Sequence, residues 1–115
     1  MTIVHTVQAN RIMVAIHGDL DMKTADPLRD ALDALLERYP GKGLQLDLAS
    51  VEFIDSSGLG VILGRYRKLK EQGLCVLLTG VRPTVRHVLE VAGIPSIMAV
   101  SEASSHVFSR DLREM

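Results

Sequence analysis

Two alternating stretches open the chain, Ile3 to Gln8 and Arg11 to Gly18, and the second sets Ile12, Val14 and Ile16 on one face. Period-two alternation marks a half-buried strand. Ala9-Asn10 between the stretches suits a tight turn, so the pattern predicts an antiparallel hairpin. Gly18-Asp19-Leu20-Asp21 breaks the alternation and delivers two carboxylates to a loop. The spacing then becomes helical. Leu28, Leu32, Leu35, Leu36 and Tyr39 form one apolar stripe, with Thr24 or Asp26 available as N-cap, Pro27 in the first turn and Pro40-Gly41 as the stop.

Leu44, Leu46 and Leu48 alternate as a third strand, and Val51, Phe53 and Ile54 extend its apolar character to the polar turn Asp55-Ser56-Ser57-Gly58. Beyond the turn, at roughly 100° per residue, Leu59, Ile62, Leu63, Tyr66 and Leu69 share a face that a second helix would lay on the core. Gln72-Gly73 ends that helix. The apolar run from Leu74 to Thr79 suits a central strand covered on both sides. Arg82-Pro83-Thr84 opens a third helix with Val85, Val88, Leu89 and Ala92 facing inward and Gly93 closing it. Ile97 to Val100 forms a short last strand, and Ser101 caps a last helix carrying Ala103, Val107, Phe108 and Leu112. The order is ββαβαβαβα. It predicts a single α/β domain over residues 1–115, a sandwich in which helices cover a mixed sheet whose later strands run parallel through right-handed crossovers.

Composition narrows the class. With aromatics at 3% and no Trp, the core must be built from Leu, Ile and Val. A formal charge of −1 gives no broad attraction to nucleic acid or to an anionic membrane. Cys75 is the only cysteine, which excludes an internal disulfide, and its place in an apolar run predicts a buried, inert thiol. The N-terminus carries neither a basic leader nor an apolar signal core, and no run reaches membrane-spanning length, so a cytoplasmic domain is expected. His5, His17, His87 and His106 show no metal-binding spacing, and no metal or other cofactor is expected.

The chemistry concentrates where the third strand hands over to the second helix. A helix N-terminus leaves backbone N–H groups unpaired and favours an anion. Asp55, Ser56 and Ser57 are all good capping residues, so an ordinary cap is one reading. The side opposite the apolar stripe bears Ser57, Gly60, Val61 and Gly64, with no charge before Arg65. Each glycine costs roughly 1 kcal/mol against Ala in a helix interior. Either a neighbouring loop or the sheet covers this side, or a partner protein docks on it and touches the serines as well.

Enzymatic readings fit less well. Gly-x-Ser-x-Gly fails because Ile54 stands at its first glycine, and Gly58, Gly60 and Gly64 miss the dinucleotide spacing by one residue. A receiver domain would place its phosphoacceptor where Asp55 lies, but would need a Lys where Ser101-Glu102 stands. A non-enzymatic binding module is the better reading.

The segment FIDSSGLGVILGRYRKLKEQG, Phe53 to Gly73, resembles the STAS family, in particular the bacterial anti-sigma factor antagonists, and Gly18-Asp19-Leu20-Asp21 is similar to the family's Gly-acidic-Leu-Asp loop. The resemblance implies a partner switch in transcription regulation. The unphosphorylated protein would capture a cognate anti-sigma factor that is itself a serine kinase, freeing sigma. Phosphorylation of Ser56 would end the capture, and a serine phosphatase would reset it. Asp21, Asp55, Ser57, Gly58, Leu59, Gly60, Val61 and Gly64 would belong to the docking surface. Neither nucleic acid nor membrane would be a direct partner. The alternative within the family is a STAS adaptor in another signalling or transporter-associated complex, one that senses a nucleotide.

Overall fold

The computed structural model describes residues 1–103. Strands β1 (Thr2–Val7) and β2 (Arg11–His17) are followed by α1 (Ala25–Arg38), β3 (Gly43–Ser50), α2 (Ser56–Glu71), β4 (Val76–Thr79), α3 (Pro83–Val91), a 3-10 turn (Ile94–Ser96) and β5 (Ala99–Val100). The expected last helix, with Val107, Phe108 and Leu112, lies outside the described residues.

The five strands form one mixed sheet in sequence order. β1 and β2 pair antiparallel, with Ile3 opposite Ile16 and Val7 opposite Ile12, while β2, β3, β4 and β5 run parallel. Parallel neighbours require a crossover between them, and each is supplied by a helical segment. Alternation then sorts the side chains. Ile12, Val14 and Ile16 of β2, Leu44, Leu46 and Leu48 of β3, and Val76 and Leu78 of β4 are buried in one core with Leu28 and Leu32 of α1, Ile62 and Leu69 of α2, and Val85 and Leu89 of α3. On the alternate positions of β3, Gln45 and Asp47 are also buried. Arg11 donates from Nη1 to Gln45 Oε1 at 2.7 Å, and the Ala49 amide donates to Asp47 Oδ1 at 3.0 Å.

Three apolar expectations need correcting. Cys75 is exposed, because β4 begins one residue later and Cys75 lies in the connection before it. Phe53 is 52% exposed. It sits beside buried Ile54 on extended chain, and adjacent side chains on such chain point to opposite sides. Ala92 is exposed at the C-cap of α3, past the last inward-facing turn.

Leu46 is fully buried at the centre of the sheet. Leu46→Ala is expected to cost about 2–5 kcal/mol. Urea unfolding should show it as a lower midpoint with an unchanged slope.

Candidate functional site

The site is built where β2 and β3 run out. The ladder between them is irregular from Ala15 to His17, and Gly18 follows with φ +119°, a conformation that side-chain-bearing residues rarely adopt. The chain then rejoins its neighbour. Leu20 bridges Ile54 in parallel, the Leu20 amide donating to the Phe53 carbonyl and the Asp55 amide donating to the Leu20 carbonyl, both at 3.0 Å. The acidic loop and the approach to α2 are therefore fastened together through backbone.

The loop is also fastened to itself. The Asp21 amide donates to Thr24 Oγ1 at 3.0 Å, and Thr24 Oγ1 donates to the Asp19 carbonyl at 2.7 Å. Asp21 Oδ1 accepts from the amides of Lys23 and Thr24 at 2.9 and 3.2 Å. Thr24 is the N-cap of α1 by position, but its side chain makes no capping bond because the hydroxyl is committed to the loop.

Asp55 is the N-cap of α2. Its Oδ1 accepts from the amides of Ser57 and Gly58 at 2.8 and 3.2 Å, so it is the aspartate and not a serine that caps the helix. Ser56 is the first residue of α2 and is exposed, while Ser57 is half-buried. Among the described residues no hydrogen bond joins the Ser56 hydroxyl to a histidine or a carboxylate. The residue stands open to solvent.

The glycines of the turn differ in kind. Gly58 is buried, and a Cβ there would stand 2.6 Å from Leu20 Cβ and 2.7 Å from the Leu20 carbonyl oxygen. Only hydrogen fits. A Cβ at Gly60 or at Gly64 would meet nothing within 4 Å. These two lie beside open space, with Ser56 on the same outward side of the helix by helical spacing.

Val61 corrects the expected surface. It is 6% exposed and part of the core, because α2 packs sideways on α1 as well as downward on the sheet. Arg65 follows it inward and reaches Asp33 of α1, Nε to Oδ1 at 3.2 Å. Among the expected docking residues, Gly58 and Val61 are thus buried. Leu59 is half-buried and packs on the core, Asp21, Asp55 and Ser57 are half-buried, and Gly60 and Gly64 offer accessible backbone. Two exposed apolar side chains were not anticipated here, Phe53 at 52% and Met22 at 79%. Both sit on the fastened loop segments. The available signal was position, each lying next to a residue already tied to the turn. Among the described residues no cluster of three or more His, Cys, Asp or Glu could hold a metal ion, and no helix is long and apolar enough to cross a membrane.

Comparison with known proteins agrees with the resemblance seen in the residues. The STAS domain family model matches residues 2–109. The chain is 36% identical over 89 residues to the anti-sigma F factor antagonist of Paenibacillus polymyxa, covering 77% of this chain and 76% of the relative. It is 33% identical over 95 residues to the anti-sigma-B factor antagonist of Bacillus subtilis (strain 168), covering 83% and 85%. Among solved structures, the anti-sigma factor antagonist SpoIIAA in its unphosphorylated form superposes with a TM-score of 0.73 at 20% identity, over 99% of this chain and 100% of that one. The phosphorylated form of Bacillus SpoIIAA gives 0.71 at 21% identity, over 96% and 99%. At such identities the structural likeness establishes the fold.

The two kinds of glycine should separate on substitution. Gly58→Ala is expected to destabilise the domain by about 1–3 kcal/mol through overpacking. Gly60→Ala is expected to stabilise it by about 0.5–1 kcal/mol, since the helix gains propensity without a clash. Denaturant unfolding of both variants checks the contrast.

Proposed function

The chain belongs to the STAS family, and from that premise we propose that it acts as an anti-sigma factor antagonist whose docking surface is switched by phosphorylation of Ser56. The observation that carries the reading is the presentation of one exposed hydroxyl, Ser56, at the first position of a helix whose outward side holds two unobstructed glycines. The relatives named as antagonists of anti-sigma F and anti-sigma-B factors supply the kind of partner. That partner is an anti-sigma factor with serine kinase activity, and the setting is the cytoplasm.

In this reading the protein binds and does not catalyse. The unphosphorylated domain presents Phe53 and Met22 as apolar contacts, and Gly60 and Gly64 let a partner backbone approach α2 closely. Capture of the anti-sigma factor releases sigma. The captured kinase supplies ATP and the catalytic base, and Ser56 supplies the nucleophilic hydroxyl. The Oγ–phosphorus bond forms as the bond to the ADP oxygen breaks, and the hydroxyl proton passes to the kinase. A serine phosphatase returns the hydroxyl by hydrolysis.

The switch needs no refolding. Phosphorylation adds about −1.5 to −2 charges at neutral pH. Asp55 already occupies the amides of Ser57 and Gly58, so the helix is capped before any phosphate arrives. The new charge stands beside the Asp55 carboxylate and within the footprint of a partner packed on Gly60. A penalty of about 3 kcal/mol weakens binding more than a hundredfold.

Ser56→Ala is expected to retain capture of the cognate anti-sigma factor and to lose label transfer from radioactive ATP, whereas Ser56→Asp should weaken capture at least about tenfold. Undiminished label in Ser56→Ala would refute the site. Gly64→Arg should leave circular dichroism unchanged and abolish capture. Unchanged affinity in that variant would remove this side of α2 from the interface.

A further inference from the structure

Strand β1 ends the sheet, with β2 on one side and, among the described residues, no strand on the other. Its bonding to β2 is set at the hairpin, where the Gln8 amide donates to the Arg11 carbonyl at 2.9 Å. Residues of an antiparallel strand turn their backbone groups to the two sides alternately. Gln8, Thr6, Val4 and Thr2 therefore bond to β2, and the N–H and C=O groups of Ile3, His5 and Val7 point away from it. A row of backbone groups satisfied only by water is a template for another strand.

Edges of this kind are ordinarily blunted by charge, proline, a bulge or a covering segment. Among the described residues β1 has none of these. Thr2 to Asn10 contains no Lys, Arg, Asp, Glu, Pro or Gly, and the register with β2 runs unbroken from Thr2 to Val7. All of its residues but Ile3 are exposed, Val4 by 56% and Val7 by 36%. Lys42 reaches only the turn, where its Nζ donates to the Gln8 and Ala9 carbonyls at 2.8 and 2.6 Å.

The strand is also complementary to itself. Ile3 lies opposite buried Ile16, so Ile3, His5 and Val7 are on the core side of the sheet and Thr2, Val4 and Thr6 on the other. Thr-Val-Thr reads the same in both directions. A two-fold axis through Val4, perpendicular to the sheet, sets Val4 against Val4 of a second copy and Thr2 against its Thr6. Such β-branched pairs and paired hydroxyls favour a cross-strand contact. On the core side the same register sets Ile3 against His5, whose backbone groups both point outward, so each such pair exchanges both N–H···O bonds. An axis at His5 would instead oppose two imidazoles.

We propose that β1 pairs antiparallel with β1 of a second copy about a two-fold axis at Val4, joining two five-stranded sheets into one. The occupant is a second copy because the edge is uncharged and its outer row matches itself in this register. The contact lies apart from the Ser56 end of α2, since β2 stands between β1 and β3, the strand that leads into that turn. It does not depend on the role given to Ser56.

The test is sedimentation equilibrium of the full chain under reducing conditions, from about 1 μM to 1 mM. The mass is expected to rise with concentration from 12.6 kDa towards twice that value. Val4→Lys sets like charges against each other on the axis and should raise the dimer dissociation constant at least about tenfold. Circular dichroism should be unchanged, because the side chain it replaces is exposed. Should that variant fail to fold, disulfide trapping decides. In a Cys75→Ser background, which removes the one native thiol, Val4→Cys should give a covalent dimer on mild oxidation. Thr6→Cys should not, because Thr6 faces Thr2 of the other copy. A chain that stays monomeric throughout the range overturns the proposal and leaves the edge to a strand of another protein. Dimers equally stable in folded Val4→Lys, or trapped through Thr6→Cys rather than Val4→Cys, overturn it too by placing the contact elsewhere.

Discussion

The contact between Gly58 and Leu20 holds the functional end of this domain together. Two backbone hydrogen bonds clip the Gly18–Asp21 loop to the approach into α2, and the first turn of α2 presses onto Leu20 with no room for a methyl group. Everything displayed at this end inherits its position from that contact. Asp55 can reach the amides of Ser57 and Gly58 because its own amide is fixed to the Leu20 carbonyl. Ser56 points outward because the residues two and five places after it, Gly58 and Val61, point in.

Helix α2 is thereby divided into three sides with separate duties. One lies on the sheet through Ile62 and Leu69, one lies against α1 through Val61 and Arg65, and one is left to solvent at Ser56, Gly60 and Arg67. The open glycines each cost helix propensity of roughly 1 kcal/mol. Burial of one Val, Leu or Ile side chain contributes about 1.5–3 kcal/mol, so the two packed sides can carry the unpacked one. The helix is kept by its neighbours, and its outward side is free to be poor in helix formers.

Most of the architecture was legible along the chain because each element announced its own period. The hairpin, the parallel strands and the helices within residues 1–103 follow from alternation, helical spacing and turn residues, but the caps did not. Thr24 and Asp26 stood as alternatives for α1 and Asp55, Ser56 and Ser57 for α2, and the fold selects Thr24 and Asp55. What escaped was decided between elements. Val61 looked outward when α2 was considered against the sheet alone, and only the sideways packing of α1 buries it. Cys75 looked buried because its neighbours are apolar, while the ladder starts one residue beyond it. Gly58 belonged to a row of glycines that spacing treats alike, although Leu20 distinguishes it from Gly60 and Gly64. Phe53 and Met22 gave no periodic signal. They matter because of the loop that carries them, and that loop's position is a property of the pairing between Leu20 and Ile54.

The exposed thiol has a practical consequence. Strands β3 and β4 run parallel with Leu44 opposite Val76, so Cys75 stands level with the beginning of β3 and Ser56 beyond its end. The eight residues of β3 between them span about 25 Å at strand rise. Since the sequence holds no second cysteine, a dye attached through maleimide chemistry marks one known point, at the end of β3 opposite Ser56. The molecule carries its own fluorescent address, far enough from α2's first turn to leave that end of the domain uncovered.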